Sequence, residues 1–334
     1  MKQLVMKEID SGQRLDKFLG KYLKEAPKSF IYKMLRKKNI VLNGKKADGS
    51  EKLEAGDEIK LFLSEDTLKK FCGETKEGVC GSLDVVYEDE QVLFINKPAG
   101  MLSQKASRED VSLVEYLTGY LLDQGSLTKE DLQTFHPGVC NRLDRNTSGL
   151  VTAGKTIQGL QVLSKAFQER FLHKYYLALV AGKLEKPAHI KGFLWKDEKR
   201  NKVMVLKEQK PGSLPIETKY EPLETGKGIT LLKVQLLTGR SHQIRSHLAS
   251  TGHPVVGDWK YGEERLNRRY KETYGLTNQL LHAWQLEFPE TMKELPKLAG
   301  RTITAKIPQE FQKVLRGEGL WKKILEENKE EVGT

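Results

Sequence analysis

The run Asn141-Arg142-Leu143-Asp144-Arg145-Asn146-Thr147-Ser148-Gly149-Leu150-Val151-Thr152 sets one carboxylate between two guanidiniums, with hydroxyls and a glycine behind it, directly before an apolar stretch. Neighbouring arginines favour the ionised form of an aspartate. An ionised, partly buried carboxylate that its surroundings hold in place can attack carbon or remove a proton. The plainer reading of the same residues is an aspartate that ties down a turn with its own arginines.

A second cluster lies a hundred residues on. Gly239, followed by Arg240, Ser241, His242 and Arg245, reads as a strand end opening into a helix, where amides without partners favour an anion. Ser241 and Arg245 are four apart and His242 and Arg245 three apart, so one helical face presents a guanidinium with polar neighbours. Phosphate contact is the alternative use of such arginines.

Other patterns are weaker. Gly149 to Thr156 formally fits Gly-x-x-x-x-Gly-Lys-Ser/Thr, but its variable positions are Leu, Val, Thr and Ala, which read as the strand itself and not as a phosphate-cradling loop. His242 and His247 are five apart, about 140° round a helix from each other, so they do not share a metal-binding face. His253 and His282 lack an acid at ligand spacing and read as structural histidines, and no metal site is expected. Cys72, Cys80 and Cys140 are odd in number, without Cys-x-x-Cys spacing, and read as reduced bystanders.

With these residues in view, the chain resembles the large family of RNA pseudouridine synthases that modify ribosomal and transfer RNA. The signature Arg-Leu-Asp-x-x-Thr-Ser-Gly-Leu is matched by Arg142 to Leu150. Further blocks match in order: Val86 to Glu90 leading into Asn96-Lys97-Pro98-Ala99-Gly100, then Lys174 to Val180, Thr238 to His247, Gly252 to Asp258, and Leu281-His282-Ala283. The matches cover residues 83 to 290, and many members carry His where this chain has Asn141.

The resemblance implies that Asp144 acts on the ribose, that Arg245 pairs with it, and that Tyr176, from Lys-x-Tyr at Lys174-Tyr175-Tyr176, stacks on the target base. A base taken out of a helix must be held by stacking, and Tyr175 points to the other side of the strand. Arg142, Arg145 and Arg240 are candidates for phosphates or for positioning the signature loop. Asn96-Lys97-Pro98 is expected to shape the first strand turn, with Lys97 favoured as a phosphate contact. The reaction adds and removes nothing, and no cofactor is expected.

Two elements must position and feed such a site. Residues 1–63 read as a small α/β module. Leu15, Phe18, Leu19, Tyr22 and Leu23 form one helical stripe, Ile31, Met34 and Leu35 a second, and Ile40 to Leu42 a strand entering the Asn43-Gly44 turn. Lys28, Lys33, Arg36, Lys37, Lys38, Lys45 and Lys46 are seven basic residues with no acid among them, a surface suited to phosphates. This segment resembles the RNA-binding module of ribosomal protein S-four through Arg14-Leu15-Asp16, the basic second helix, Val41-Leu42-Asn43-Gly44 and Gly56-Asp57. Residues 64–82 read as a flexible linker.

Residues 83–325 alternate strand and helix patterns irregularly, with a hairpin at Glu88 to Gln91. An α+β catalytic domain on a mixed, mostly antiparallel central sheet is expected. The tail from Lys322 is charge-dense and expected to fray.

The 334 residues suit about two domains. A net charge of +11 points to a polyanionic partner without choosing between nucleic acid and membrane. No signal-peptide pattern and no eighteen-residue apolar stretch occurs, so a soluble, cytoplasmic, monomeric protein that does not engage a membrane is expected. The expected substrate is large-subunit ribosomal RNA, with transfer RNA as the other candidate. Two rival readings are a non-catalytic RNA-binding or ribosome-assembly factor and a P-loop nucleotidase.

Overall fold

The computed structural model describes residues 1–72, 78–79, 81–107, 109–197 and 202–324; Cys80 and most of the charged tail lie outside them. The chain packs as two compact units. The first comprises Met1–Phe94, Gln104–Asn141 and Thr152–Lys165, and the second Ile95–Ser103, Arg142–Val151 and Ala166–Thr334.

In the first unit, the N-terminal module holds β1 (Lys2–Val5), α1 (Leu15–Tyr22), α2 (Lys28–Arg36), β2 (Ile40–Leu42), β3 (Lys45–Lys46) and β4 (Glu58–Leu61). Its four strands run in the order β1-β4-β2-β3, and its antiparallel register pairs Leu42 with Lys45 across Asn43 and Gly44. Both turn residues have positive φ, 50° and 71°, the conformation a two-residue hairpin needs to match strand twist. The expected stripes are the core: Leu15, Phe18, Leu19, Ile31 and Leu35 are buried against Ile40 and Ile59.

The expected linker differs in its first part. Residues Glu65–Cys72 form α3, because Leu68, Phe71 and Cys72 fall at helical spacing and pack on the module core. The Phe71 ring lies 4.8 Å from that of Phe30. The rest of this unit carries β5 (Val85–Glu88), the start of β6 (Val92–Lys97), α4 (Leu113–Asp123), β7 (Gly138–Val139), the end of β8 (Ser148–Gly154) and most of α5 (Ile157–Gln168). The hairpin at Glu88 to Gln91 is present, its turn closed by Asp89, whose carboxylate accepts the Gln91 and Val92 amides at 2.8 and 2.9 Å. Lys7 reaches Asp131 within this unit at 2.6 Å.

The second unit adds β9 (His173–Ala181), β10 (Ala188–Asp197), β11 (Lys202–Leu206), β12 (Leu214–Thr225), β13 (Ile229–Leu236), α6 (Gln243–Ser250), α7 (Glu264–Tyr274), β14 (Leu281–Glu287), β15 (Thr302–Thr304) and α8 (Gln309–Gly317). Its strands run β11-β10-β12-β13-β9-β14-β8, with β15 on β14. These pairings are antiparallel except β14 with β8, which is parallel. This is the mixed, mostly antiparallel sheet of an α+β protein.

Successive residues of a strand face opposite sides, so β9 separates two environments. Leu177 and Leu179 join Leu231, Trp284, Tyr270, Phe311 and Val314 in a core beneath α7 and α8. Tyr176, one residue out of phase, faces away from that core, in register with Val234 and Ala283. Strands β10 and β12 are not legible in the sequence. Lysines interrupt the alternation of the first, and the second contains Pro222, which the ladder accommodates at a register shift between Pro222 and Glu224.

Candidate active site

The turn before β8 carries Asp144, and its main chain is held from several sides within the second unit. The Thr147 amide closes the turn onto the Asp144 carbonyl at 3.0 Å. The buried Ser103 hydroxyl donates to the Leu143 carbonyl and accepts the Leu143 amide, at 2.9 and 3.0 Å. Gln279 donates to the Thr147 hydroxyl at 2.8 Å, and Ser148 meets Nδ1 of His282 at 2.9 Å. Gly149 follows at φ +112°, and any β-carbon there would overlap the Ala283 backbone, so only glycine lets β8 approach β14 this closely. All seven residues of β8 are buried. The pattern from Gly149 to Thr156 is therefore strand interior and no phosphate loop.

Lys97 requires a correction. Expected as a phosphate contact, it is fully buried at the end of β6, with Nζ donating to the carbonyls of Pro98, Met101 and Arg145 at 2.8, 2.9 and 3.2 Å. Its three donors are used inside the protein, and it reaches no surface. Burial pushes its pKa down to about 7, against the pull of the nearby Asp144 charge. Lys97 thus clamps the signature turn, in keeping with the turn-shaping part expected of Asn96-Lys97-Pro98 as a whole. Arg145 adds to the clamp: its Nε donates to the Gly100 carbonyl at 3.1 Å, and the Gly100 amide returns a bond to the Arg145 carbonyl at 2.8 Å.

Asp144 and Arg245 meet although 101 residues separate them. Nη1 of Arg245 donates to Oδ2 of Asp144 at 2.8 Å, and the Asp144 side chain stays 24% exposed toward the cleft. Arg245 itself is buried. Its Nε and Nη2 form a fork onto both oxygens of Asp258, at 2.7 and 2.9 Å. Burial works against the guanidinium charge, but the two carboxylates overcome it and raise the Arg245 pKa above its ordinary value. Asp258 is equally enclosed; burial would raise its pKa, and Arg245 together with the Lys260 and Tyr261 amides holds it below the usual range.

Helix α6 begins at Gln243, later than the sequence suggests, so Ser241 is outside it and does not share a face with Arg245. Gln243 occupies the helix entrance, its side-chain oxygen accepting the Arg240 amide at 3.1 Å and its nitrogen donating to the Glu217 carbonyl at 3.0 Å. His242 precedes the helix in the left-handed conformation, φ 56°. That turn points its Nε2 to within 3.9 Å of Asp144 Oδ2.

Tyr176 lies on the Asp144 side of β9. It is buried, and burial with the Asp144 charge raises its hydroxyl pKa, so it remains a neutral phenol. Tyr175 faces the other way and donates to Glu287 at 3.1 Å. The structure thus brings Asp144, Tyr176 and Arg245 together, with Lys97 beneath the turn. Arg142 and Arg240 are exposed. In the other unit, Lys28, Lys33, Arg36, Lys37, Lys38, Lys45 and Lys46 are all exposed, and among the described residues none of them forms an ion pair. Asn141, where many resembling sequences carry His, accepts the Thr152 amide and hydroxyl at 2.8 and 3.1 Å.

Sequence reasoning misses three participants. Asp258 lies inside a matched block without a role, although an arginine as enclosed as Arg245 requires a buried acid. Tyr261 carries no signal of its own. Its ring centroid lies 5.2 Å from the Arg245 guanidinium carbon, and its hydroxyl meets His242 Nδ1 at 2.9 Å. His242 reads in the sequence only as a metal ligand or a polar neighbour. What these groups can do together is hold a carboxylate, an aromatic ring and an N–H donor around one small volume open to solvent.

Among the described residues no helix is long and apolar enough to cross a membrane. The family described as RNA pseudouridylate synthase matches residues 91–250, and the S4 domain matches residues 13–59. The chain is 32% identical over 311 residues to ribosomal large subunit pseudouridine synthase C of Vibrio vulnificus, covering 92% of this chain and 93% of that protein. It is 32% identical over 286 residues to the Escherichia coli protein of the same name, covering 84% and 86%. Among solved structures, human RNA pseudouridylate synthase domain containing 4 superposes with a TM-score of 0.55 at 19% identity, covering 70% of this chain and 91% of that one. Human RNA pseudouridylate synthase domain containing 1 gives 0.51 at 24%, covering 73% and 97%. Both share the fold.

Proposed function

Because this chain belongs to the RNA pseudouridylate synthase family, we propose that it isomerises uridines of large-subunit ribosomal RNA to pseudouridine, with Asp144, Arg245 and Tyr176 as its working residues. The observation that carries the assignment of residues is the 2.8 Å bond from Arg245 to an Asp144 that still faces solvent. A carboxylate used only to tie down its turn would have no need of a buried guanidinium brought from 101 residues away.

In the reaction, the bond from the ribose anomeric carbon to the base nitrogen breaks and a bond to a base carbon forms. That carbon loses a proton and the nitrogen gains one. Asp144 serves the ribose, either attacking the anomeric carbon or taking the neighbouring proton; both routes need the orientation that Arg245 gives it. Tyr176 offers a ring for the displaced base and, as a neutral phenol, a hydroxyl for the late proton transfer. Arg142 and Arg240 flank the site as exposed cations suited to phosphates, and the basic face of the N-terminal module, residues 1–63, is suited to RNA outside the site. Residues 83–325 then form the catalytic part. The reading carries with it a cytoplasmic location and action as a monomer.

The test is a uridine map of ribosomal and transfer RNA from cells that have the protein, lack it, or carry only Asp144→Asn. Sites in large-subunit RNA should vanish in the last two alike. Sites lost only from transfer RNA would overturn the substrate, and sites retained with Asp144→Asn would overturn the role of that residue.

A further inference from the structure

The side chains beneath Arg245 have a use that the pairing with Asp144 does not account for. Tyr261 lies in the loop between α6 and α7 and touches three things. Its ring packs against the Arg245 guanidinium, 5.2 Å from centroid to Cζ. Its oxygen accepts the Val203 amide at 3.1 Å and meets His242 Nδ1 at 2.9 Å. The Val203 bond takes a lone pair, which leaves the phenolic hydrogen to be placed. Donation to Nδ1 satisfies it, and the alternative strands a half-buried O–H.

If Nδ1 accepts, the ring carries its hydrogen on Nε2, and that atom is the one 3.9 Å from Asp144 Oδ2. The distance is too long for a direct hydrogen bond and short enough for an oxygen to be held by both. The backbone agrees with a held imidazole. His242 has φ 56°, a conformation that costs a non-glycine residue about 1–3 kcal/mol and persists where surroundings impose it.

Resting on the functional reading above, we propose that Tyr261 is a positioning residue of this active site. It locks His242 in the tautomer whose Nε2–H faces the Asp144 side of the cleft, where it donates to a ribose or phosphate oxygen of the bound nucleotide, and it floors Arg245. Burial lowers the His242 pKa, with Arg245 and Lys260 acting in the same sense against Asp144 and Asp258, so the imidazole is neutral and the tautomer is defined.

The nitrogen spectrum of histidine-labelled full-length protein reads the tautomer directly and without RNA. His242 should show a protonated Nε2 in the parent, and this signature should be lost in Tyr261→Phe, which keeps the ring over Arg245 and removes only the hydroxyl. Single-turnover rates on the responsive RNA should fall about tenfold in Tyr261→Phe with affinity unchanged, and further in Tyr261→Leu. His242→Gln, which retains an N–H donor, should recover part of the rate that His242→Ala loses. A protonated Nδ1 in the parent, or a Tyr261→Phe rate within twofold of it, would overturn the proposal. A parent without isomerase activity would defeat the functional reading separately, since the spectrum decides the tautomer on its own.

Discussion

Arg245 grips Asp258 through two parallel hydrogen bonds of 2.7 and 2.9 Å, and that fork is what leaves Nη1 aimed at Asp144. The guanidinium plane is fixed by a residue that never meets substrate. Asp258→Asn should therefore act at a distance. Removing one partner of a buried pair leaves the other charge uncompensated, a cost of about 3–5 kcal/mol in unfolding by denaturant. At temperatures where the variant is folded, its single-turnover rate should fall with RNA affinity retained. Arg245→Lys should show the same division, because a lysine keeps the charge and loses the fork. Loss of affinity alone in either variant would make Arg245 a phosphate ligand.

Lys97 gives a second discrimination. With its Nζ spent on three carbonyls, Lys97→Met should unpair the main chain of the signature turn, lower the melting temperature and slow the single turnover. The salt dependence of RNA binding should not move. A slope reduced by about one unit would return Lys97 to the phosphates.

The basic face of the N-terminal module predicts the opposite pattern. Replacing Lys33, Arg36 and Lys37 by Gln should weaken binding and flatten the plot of log affinity against log salt by about 0.7–0.9 unit for each RNA phosphate no longer neutralised. The rate with RNA at saturation should stay as it was. A triple variant with the parent slope would take this face off the RNA.

His282 supplies a pH dependence. It is fully buried, bonded to Ser148, and burial lowers its pKa from 6.5 to about 4. The unfolded chain thus binds this proton more readily than the folded one, so the contribution is complete above pH 6.5 and is lost as pH falls toward 4. The loss amounts to at most about 3 kcal/mol, and buried His247 acts in the same window and sense. Unfolding free energies measured at pH 7 and pH 5 should differ, and His282→Gln should narrow the difference. An equal difference in that variant would assign the acid sensitivity elsewhere.

Much of this protein can be read from its sequence, where a local pattern has a local physical cause. The stripe from Leu15 to Leu23, the Asn43-Gly44 turn and the hairpin closed by Asp89 each follow from spacing and turn chemistry within a few residues. The ordered motifs also announce Asp144, Tyr176 and Arg245 as a set, since each is embedded in a distinctive run. What the sequence could not contain was distance. That Lys97 turns inward follows from carbonyls presented by residues up to Arg145, and a lysine beside a proline looks the same whether it meets them or solvent. Asp258 and Tyr261 acquire their parts only when the loop after α6 folds back beneath Arg245. Hydrogen bonds and ion pairs act over about 3 Å, so residues far apart in the chain interact only once tertiary packing has brought them together.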